Sequence, residues 1–269
     1  MALDIVRAES VAQAASLLAG DDGARFLGGG TFLVRALTGG DLSIRKFVLA
    51  DGLGLAEMEV GETVTIGSAA TMATIADAPG LAFLAPVALS IGGPAVRSMA
   101  TVGGNLFARS PYGDFTAALL ALGASVVRAT ADGETSEDLE AFLARDEARG
   151  VVRAVRFPRP ADGAFRYLKV TRKHPHGASV LSIAALLPVV DGRLETVRVA
   201  YGAMAPRPMR AAAVEAVLAG RALDAAAIDA AVAVAAEGTA PEDDPQASAW
   251  YRREVIGVHL RRLLSGEAA

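Results

Sequence analysis

An α+β fold built in more than one part is predicted by three observations. Apolar runs near the start of the chain read strand, helix, strand with short links, which suggests a small parallel unit. Alternating residues from about position 57 read as a hairpin, and two strand-like runs between 165 and 190 are followed by alanine-rich helical stretches. The 269 residues suffice for one large domain or two to three subdomains with a substantial core.

Residues 9–19 place apolar side chains at helical spacing behind a Ser10 cap, and Gly20-Asp21-Asp22-Gly23 ends that helix. A short strand over 24–27 runs into Gly28-Gly29-Gly30, and residues 31–38 read as a helix on which Arg35 is a solvated or capping charge. A strand over 46–49 completes the unit. Gly61-Glu62 joins the alternating segments 57–60 and 63–67 as a hairpin. Helical faces follow at 71–76 and 81–89, and another helix is expected at 115–122 after the segment Thr101 to Asp114.

Further along, a strand over 125–129, a turn at Asp132-Gly133-Glu134, a helical piece at 139–143 and a strand over 150–157 lead to Pro158-Arg159-Pro160. This proline-bounded link is the expected subdomain boundary. Beyond it, residues 165–173 and 179–190 form an antiparallel pair, with a further strand-like run over 196–202. Residues 211–237 predict two helices broken near Gly220, and residues 250–264 a closing amphipathic helix.

Composition narrows the function. Hydrophobic residues make up 52% and charged residues 21%, which excludes general disorder. Mean hydropathy is +0.37, much of it alanine, in keeping with helices buried against one another or against partner subunits. A net charge of −4 with scattered basic residues argues against nucleic acid as a partner. The longest apolar runs, 115–127 and 178–190, are too short to span a membrane, and the first ten residues have no apolar signal core, so a cytoplasmic protein is expected.

The chain has no cysteine and three histidines, His174, His176 and His259. No disulfide, thiolate nucleophile or cysteine-ligated iron–sulfur cluster can form within it, and no metal motif is present. His174 and His176 read as a surface turn. Redox chemistry here requires an organic cofactor, with any metal centre on another polypeptide. Neither a Ser/His/Asp set nor a local carboxylate pair supports hydrolysis, and no catalytic acid or base is assigned.

The stretch Thr-Val-Gly-Gly-Asn-Leu-Phe-Ala-Arg-Ser-Pro-Tyr-Gly-Asp at 101–114 organises the rest. Paired glycines let a backbone approach a diphosphate with its N–H groups presented, Asn105 and Ser110 add neutral hydrogen-bonding groups, and Asp114 offers an acceptor for a ribose hydroxyl. The first turn of the following helix is expected beside the phosphates. With Gly28-Gly29-Gly30-Thr31 about seventy residues earlier, two glycine segments could clasp one long phosphorylated ligand. Neither matches a P-loop or the Rossmann spacing.

These residues carry a resemblance. The first loop, followed by Ala-Thr-Val-Gly-Gly-Asn-Leu and Ser-Pro-x-x-Asp, resembles the FAD-binding (medium) subunit of the molybdenum hydroxylases, which include aerobic carbon monoxide dehydrogenases and xanthine dehydrogenase. The likeness runs over nearly the whole chain. It implies an FAD-binding domain of the vanillyl-alcohol oxidase/p-cresol methylhydroxylase type over 1–160, with subdomains of about 1–55 and 56–160. A C-terminal α+β domain with a small antiparallel sheet and helices would occupy 161–269.

The same resemblance implies FAD contacts from Leu27, Gly28, Gly29, Gly30, Thr31, Phe32 and Leu33 in the first segment. Ile91, Gly92, Val96, Ala100, Thr101, Gly103, Gly104 and Asn105 match the second, with Ser110 and Asp114 completing it. Lys169, at the lysine of a Tyr-x-Lys strand, is implied near the flavin; on residues alone it reads as a solvated charge. Electrons would arrive from [2Fe-2S] clusters of a small subunit, beside a large molybdopterin subunit, in a heterotrimer or a dimer of heterotrimers. They would leave through FAD to NAD, oxygen or a quinone.

The sequence departs from the family at Pro94-Ala95, at Arg109, where a small residue is common, at His174-Pro175-His176 and at Asp244-Pro245-Gln246. Two alternatives therefore stay open: a stand-alone FAD-dependent oxidase or dehydrogenase, and a structural subunit that has lost its flavin.

Overall fold

The computed structural model describes residues 3–49, 51–130, 133–145, 150–174 and 176–267. Its first sheet is parallel. Strand β1 (Asp4–Arg7) is followed by helix α1 (Val11–Ala19), β2 (Ala24–Leu27), α2 (Leu33–Thr38) and β3 (Lys46–Leu49), with β3 between β1 and β2. The Ser10 hydroxyl accepts from the Gln13 amide at 3.1 Å, so α1 starts where the cap was expected. Phe47 and Val48 on the central strand are both buried, and Ala14 and Ala15 of α1 join Val48 in one core cluster. β1 is an addition to the expected unit: Asp-Ile-Val-Arg is too short and too exposed to show a period.

A five-stranded antiparallel sheet follows in the order β4-β5-β8-β6-β7, from β4 (Met58–Val60), β5 (Thr63–Gly67), β6 (Ser125–Thr130), β7 (Gly133–Asp138) and β8 (Val151–Pro158). Between β5 and β6 the chain makes five short helices, α3 (Met72–Ala76), α4 (Ala85–Leu89), α5 (Pro94–Arg97), α6 (Val102–Leu106) and α7 (Asp114–Ala121), with α8 (Leu139–Leu143) after β7. The single helical face expected over 81–89 is divided: Pro79–Leu84 is a 3-10 turn and Pro86 starts α4. Gly133 and Glu134 of the expected turn lie in β7, and Asp132 falls outside the described residues.

The last part holds β9 (Phe165–Thr171), β10 (Ser179–Leu186), β13 (Arg198–Gly202) and β14 (Met209–Arg210) in an antiparallel sheet of order β14-β13-β10-β9. A two-stranded ribbon, β11 (Val189–Val190) with β12 (Arg193–Leu194), extends from it, and α9 (Ala212–Leu218), α10 (Ala225–Ala233) and α11 (Ala249–Ser265) complete the chain. β10 is apolar almost throughout because both of its faces are covered, one by α7 and the other by α11. Arg252 of α11 is fully buried and donates to the Val180 carbonyl at 2.7 Å and to Asp244 Oδ2 at 2.7 Å. The departure at Asp244 thus supplies the counter-charge for the closing helix.

α7 locks these parts together. Every one of its residues is buried, and Phe115, Ala118 and Leu119 share a cluster with Val64 and Ile66 of β5 and with Ala184 and Ala200 of β10 and β13. Each large side chain buried this way contributes roughly 1.5–3 kcal/mol.

Candidate functional site

The two glycine segments meet. An ideal Cβ built on Gly29 would lie 1.5 Å from the Met99 carbonyl oxygen, and one on Gly28 would lie 2.9 Å from Thr101 Oγ1. Backbone therefore touches backbone at a point where no side chain fits. The second segment is anchored in turn to the chain leaving β5: Met72 N donates to Ala100 O at 2.9 Å, Val102 N to Ala70 O at 3.0 Å and Gly103 N to Ser68 O at 2.8 Å.

Two cavities lie on either side of this contact. The larger, about 720 Å³, is lined by Gly28 through Leu33, by Thr101, Gly103, Gly104 and Asn105, and by Ser68, Ala69, Phe107, Gly150 and Val152. Leu18, Asp21, Asp22, Ala24, Arg25 and Phe26 form its remaining wall. The smaller, about 380 Å³, has Leu27, Gly28, Gly29, Ser98, Met99 and Thr101 on its wall with residues 51–56, Ala69 and Thr71. The larger falls within the size range of cofactor sites, roughly 300–1,000 Å³.

Their polar groups suit a phosphorylated, hydroxyl-rich ligand. The amides of Gly29, Gly30 and Thr31 donate to no other group among the described residues. Ser68 is buried and its Oγ has no partner there, while it faces the cavity wall beside Gly103. Thr31 and Thr101 add two hydroxyls and Asn105 its side-chain oxygen, while Asn105 Nδ2 donates to the Thr101 carbonyl at 2.9 Å. Uncommitted N–H groups and an orphaned hydroxyl around one void are the donor set that an FAD diphosphate and ribityl chain require.

The second segment differs from its sequence reading. Val102-Gly103-Gly104-Asn105 is not an open turn but the first part of α6, capped by Thr101, whose Oγ1 accepts from Gly104 N at 3.1 Å. Asn105 N donates to Thr101 O at 3.1 Å, so the amides of 102–105 are all committed within the protein. Gly103 is required by Ser68, which would lie 2.9 Å from an added Cβ. The ligand-facing contribution of this segment is its surface and its side chains rather than its N–H groups.

The sequence-assigned residues divide into two places. Leu27 to Leu33, Thr101, Gly103, Gly104 and Asn105 line the cavities, and Ala100 is buried directly beneath Gly29. Ile91, Gly92, Val96, Ser110, Asp114 and Lys169 line neither. Gly92 takes φ +53° where Val96 closes over it, and Ser110 N donates to Pro206 O at 3.0 Å. Phe32, on the cavity wall, stands edge-on to Tyr112 with centroids 5.3 Å apart.

Asp114 is not beside the glycine loop. The first turn of α7 is inside the core, and its carboxylate is engaged by groups from beyond β8: Lys169 Nζ lies 2.8 Å from Oδ2 and the Ser179 hydroxyl donates to Oδ1 at 2.6 Å. Lys169 also donates to the Ser90 carbonyl at 2.9 Å, and Ser90 Oγ meets the Tyr167 hydroxyl at 3.0 Å. Lys169 is thus a buried, paired cation and not a solvated one. Burial, and after it the Asp114 charge, pushes the Tyr167 hydroxyl well above its usual range, so it stays protonated. His174 and His176 are exposed, as a surface turn requires; Pro175 lies outside the described residues.

Sequence reasoning missed Ser68, Phe107, Arg25, Gly150 and Val152. Ser68 and Val152 follow or lie in strands whose pairing across β5 and β8 no local pattern reveals. Tyr167 carried a signal, since it belongs to the same Tyr-x-Lys strand as Lys169.

Two family models match the chain. Residues 1–160 match the family described as the FAD binding domain in molybdopterin dehydrogenase, and residues 165–266 match the CO dehydrogenase flavoprotein C-terminal domain. The carbon monoxide dehydrogenase medium chain of Afipia carboxidovorans is 31% identical, covering 96% of this chain and 94% of its own. The glyceraldehyde dehydrogenase medium chain of Sulfolobus acidocaldarius is 29% identical, with 94% of each covered. A solved structure of a Cu,Mo-CO dehydrogenase superposes with a TM-score of 0.90 at 29% identity, over 98% of this chain and 97% of that one.

Proposed function

The chain belongs to the FAD-binding family of the molybdopterin dehydrogenases, and from that premise we propose that it passes electrons from the [2Fe-2S] clusters of a small partner subunit to an external acceptor, NAD, oxygen or a quinone. It is an oxidoreductase flavoprotein subunit with FAD as its cofactor. When bound, FAD supplies a two-electron store that can be filled one electron at a time, chemistry no side chain here provides. The chain has no cysteine, so thiolate-bound clusters belong to another polypeptide. In this reading a large molybdopterin subunit carries the substrate chemistry and the assembly is a cytoplasmic heterotrimer, or a dimer of two. Among the described residues no helix is long and apolar enough to cross a membrane.

The chain's own residues bind and orient. Gly29, Gly30 and Thr31 would hold the diphosphate through their amides, with Ser68, Thr101 and Asn105 meeting hydroxyls along the ligand. Leu27, Phe32 and Leu33 would shield it from water. Lys169 and Asp114, joined to each other and to Ser179 and Ser90, would fix the seam between residues 1–160 and 161–269. We assign the two parts to an FAD-binding domain and a C-terminal domain with that boundary.

The observation that carries this reading is the contact of Gly29 with the Met99 carbonyl beside a cavity with uncommitted amides. The test is to release any cofactor from the purified protein and identify it by visible absorption and mass. About one FAD per chain is expected. No flavin, even after incubation with FAD, would overturn the reading in favour of a flavin-free scaffold, and turnover of a small substrate by the isolated chain would favour a stand-alone oxidase.

A further inference from the structure

A dinucleotide diphosphate brings two negative charges into a cavity whose glycine loop offers only neutral donors. Two carboxylates, Asp21 and Asp22, stand on the same wall. Asp21 is already compensated: Lys46 Nζ lies at 3.1 Å, Arg45 Nη2 at 3.0 Å, and the Gly23 amide donates to it at 2.8 Å. The Gly23 amide, and after it Lys46 and Arg45, hold its carboxyl below the usual range, and Lys46 Nζ also lies 3.8 Å from Asp4 Oδ2. The ligand charge needs another partner.

Among the described residues lining the cavity, Arg25 is the one cation. It lies on β2, two residues before Leu27 and so on the same face of the strand that delivers the glycine loop. Its Nη1 donates to the Asp22 carbonyl at 2.7 Å and to the Ala24 carbonyl at 2.9 Å. Two backbone carbonyls thus fix the guanidinium plane, while Nε and Nη2 donate to no group among the described residues. The exposed Asp41 feels the same charge without an ion pair. A guanidinium with one edge anchored and the other edge open is arranged for a two-point contact with phosphate oxygens, and little side-chain freedom is left to lose.

We infer that Arg25 recognises the diphosphate of the dinucleotide, acting as the cation of a binding site whose other donors are neutral. The inference rests on FAD occupying the larger cavity. In the full-length chain stripped of flavin, ADP, adenosine and FAD serve as probes, with affinity measured by calorimetry and by flavin fluorescence.

Arg25→Gln should weaken FAD and ADP about tenfold to a hundredfold, the loss expected for a charge-assisted contact, and leave adenosine unchanged. Arg25→Lys, which keeps the charge without the fork, should recover part of that loss. Added salt should weaken ADP binding to the unaltered chain more than to Arg25→Gln. Unchanged ADP affinity in a variant that unfolds at the same temperature as the unaltered chain would overturn the assignment. So would equal losses for ADP and adenosine, since the guanidinium would then be stacking on the base. Failure of the unaltered chain to bind FAD at all would sink the flavin reading and this inference together, whereas an unaltered chain that binds FAD beside an Arg25→Gln variant that binds ADP equally well sinks the inference alone.

Discussion

Gly28 to Thr31 and Val102 to Asn105 look alike in sequence and behave differently in the fold. The first is a loop leaving β2, and the amides of Gly29, Gly30 and Thr31 have no protein acceptor among the described residues. The second is a capped helical turn in which each of four consecutive amides donates inside the protein. Glycine serves both, for opposite reasons. At Gly29 its lack of a side chain lets another backbone pass and leaves donors facing a void; at Gly103 it lets a helix lie on Ser68. A pair of glycines therefore identifies close approach without saying what approaches.

The strongest way to break this contrast is at Gly29. A methyl there would sit 1.5 Å from Met99 O and 2.5 Å from Met99 C, atoms that belong to backbone and cannot rotate aside. Gly29→Ala must part the two segments, so the expected loss is about 4 kcal/mol or more in stability, outside the ordinary range for a single substitution. Flavin retention should fail with it, because both walls of the cavity move. Urea unfolding and FAD titration of the variant check this; wild-type behaviour in both would mean that the segments do not touch.

Gly103→Ala separates the two uses of glycine more finely. Its methyl would lie 2.9 Å from Ser68 Cβ and 3.1 Å from Ser68 O, and overpacking of this kind costs about 1–3 kcal/mol. The loss should appear in the flavin-free protein, because the strained contact is within the chain. A variant whose apo form melts normally while FAD affinity falls would show instead that this glycine faces the ligand.

How much of this was readable in the sequence follows from the range of each interaction. Ser10, Thr71 and Ser248 act within three residues, and the helices they cap begin where side-chain spacing placed them. The parallel unit and the hairpin at Gly61-Glu62 were legible for the same reason. The glycine-rich segments were legible as a place but not as a geometry, since Gly103 depends on Ser68 and Gly29 on Met99, partners far away in the chain. Asp114 illustrates the limit. Its type suggested an acceptor for a hydroxyl, but its partners Lys169 and Ser179 are more than fifty residues away and turn it into one half of a buried pair at the seam.

The mildest test lies at the hinge between the two segments. Thr101 caps α6 through the bond from Gly104 N, and the same oxygen lies against Gly28. Thr101→Ala removes a cap, which costs about 0.5–2 kcal/mol, and opens space beneath the first loop without displacing backbone. Thr101→Ser keeps the hydroxyl and should recover most of that stability. If the hydroxyl matters to the fold only as a cap, both variants should bind FAD in proportion to their stability. A loss of FAD affinity in Thr101→Ala larger than its loss of stability, and recovered in Thr101→Ser, would show that the same hydroxyl both caps the helix and meets the ligand.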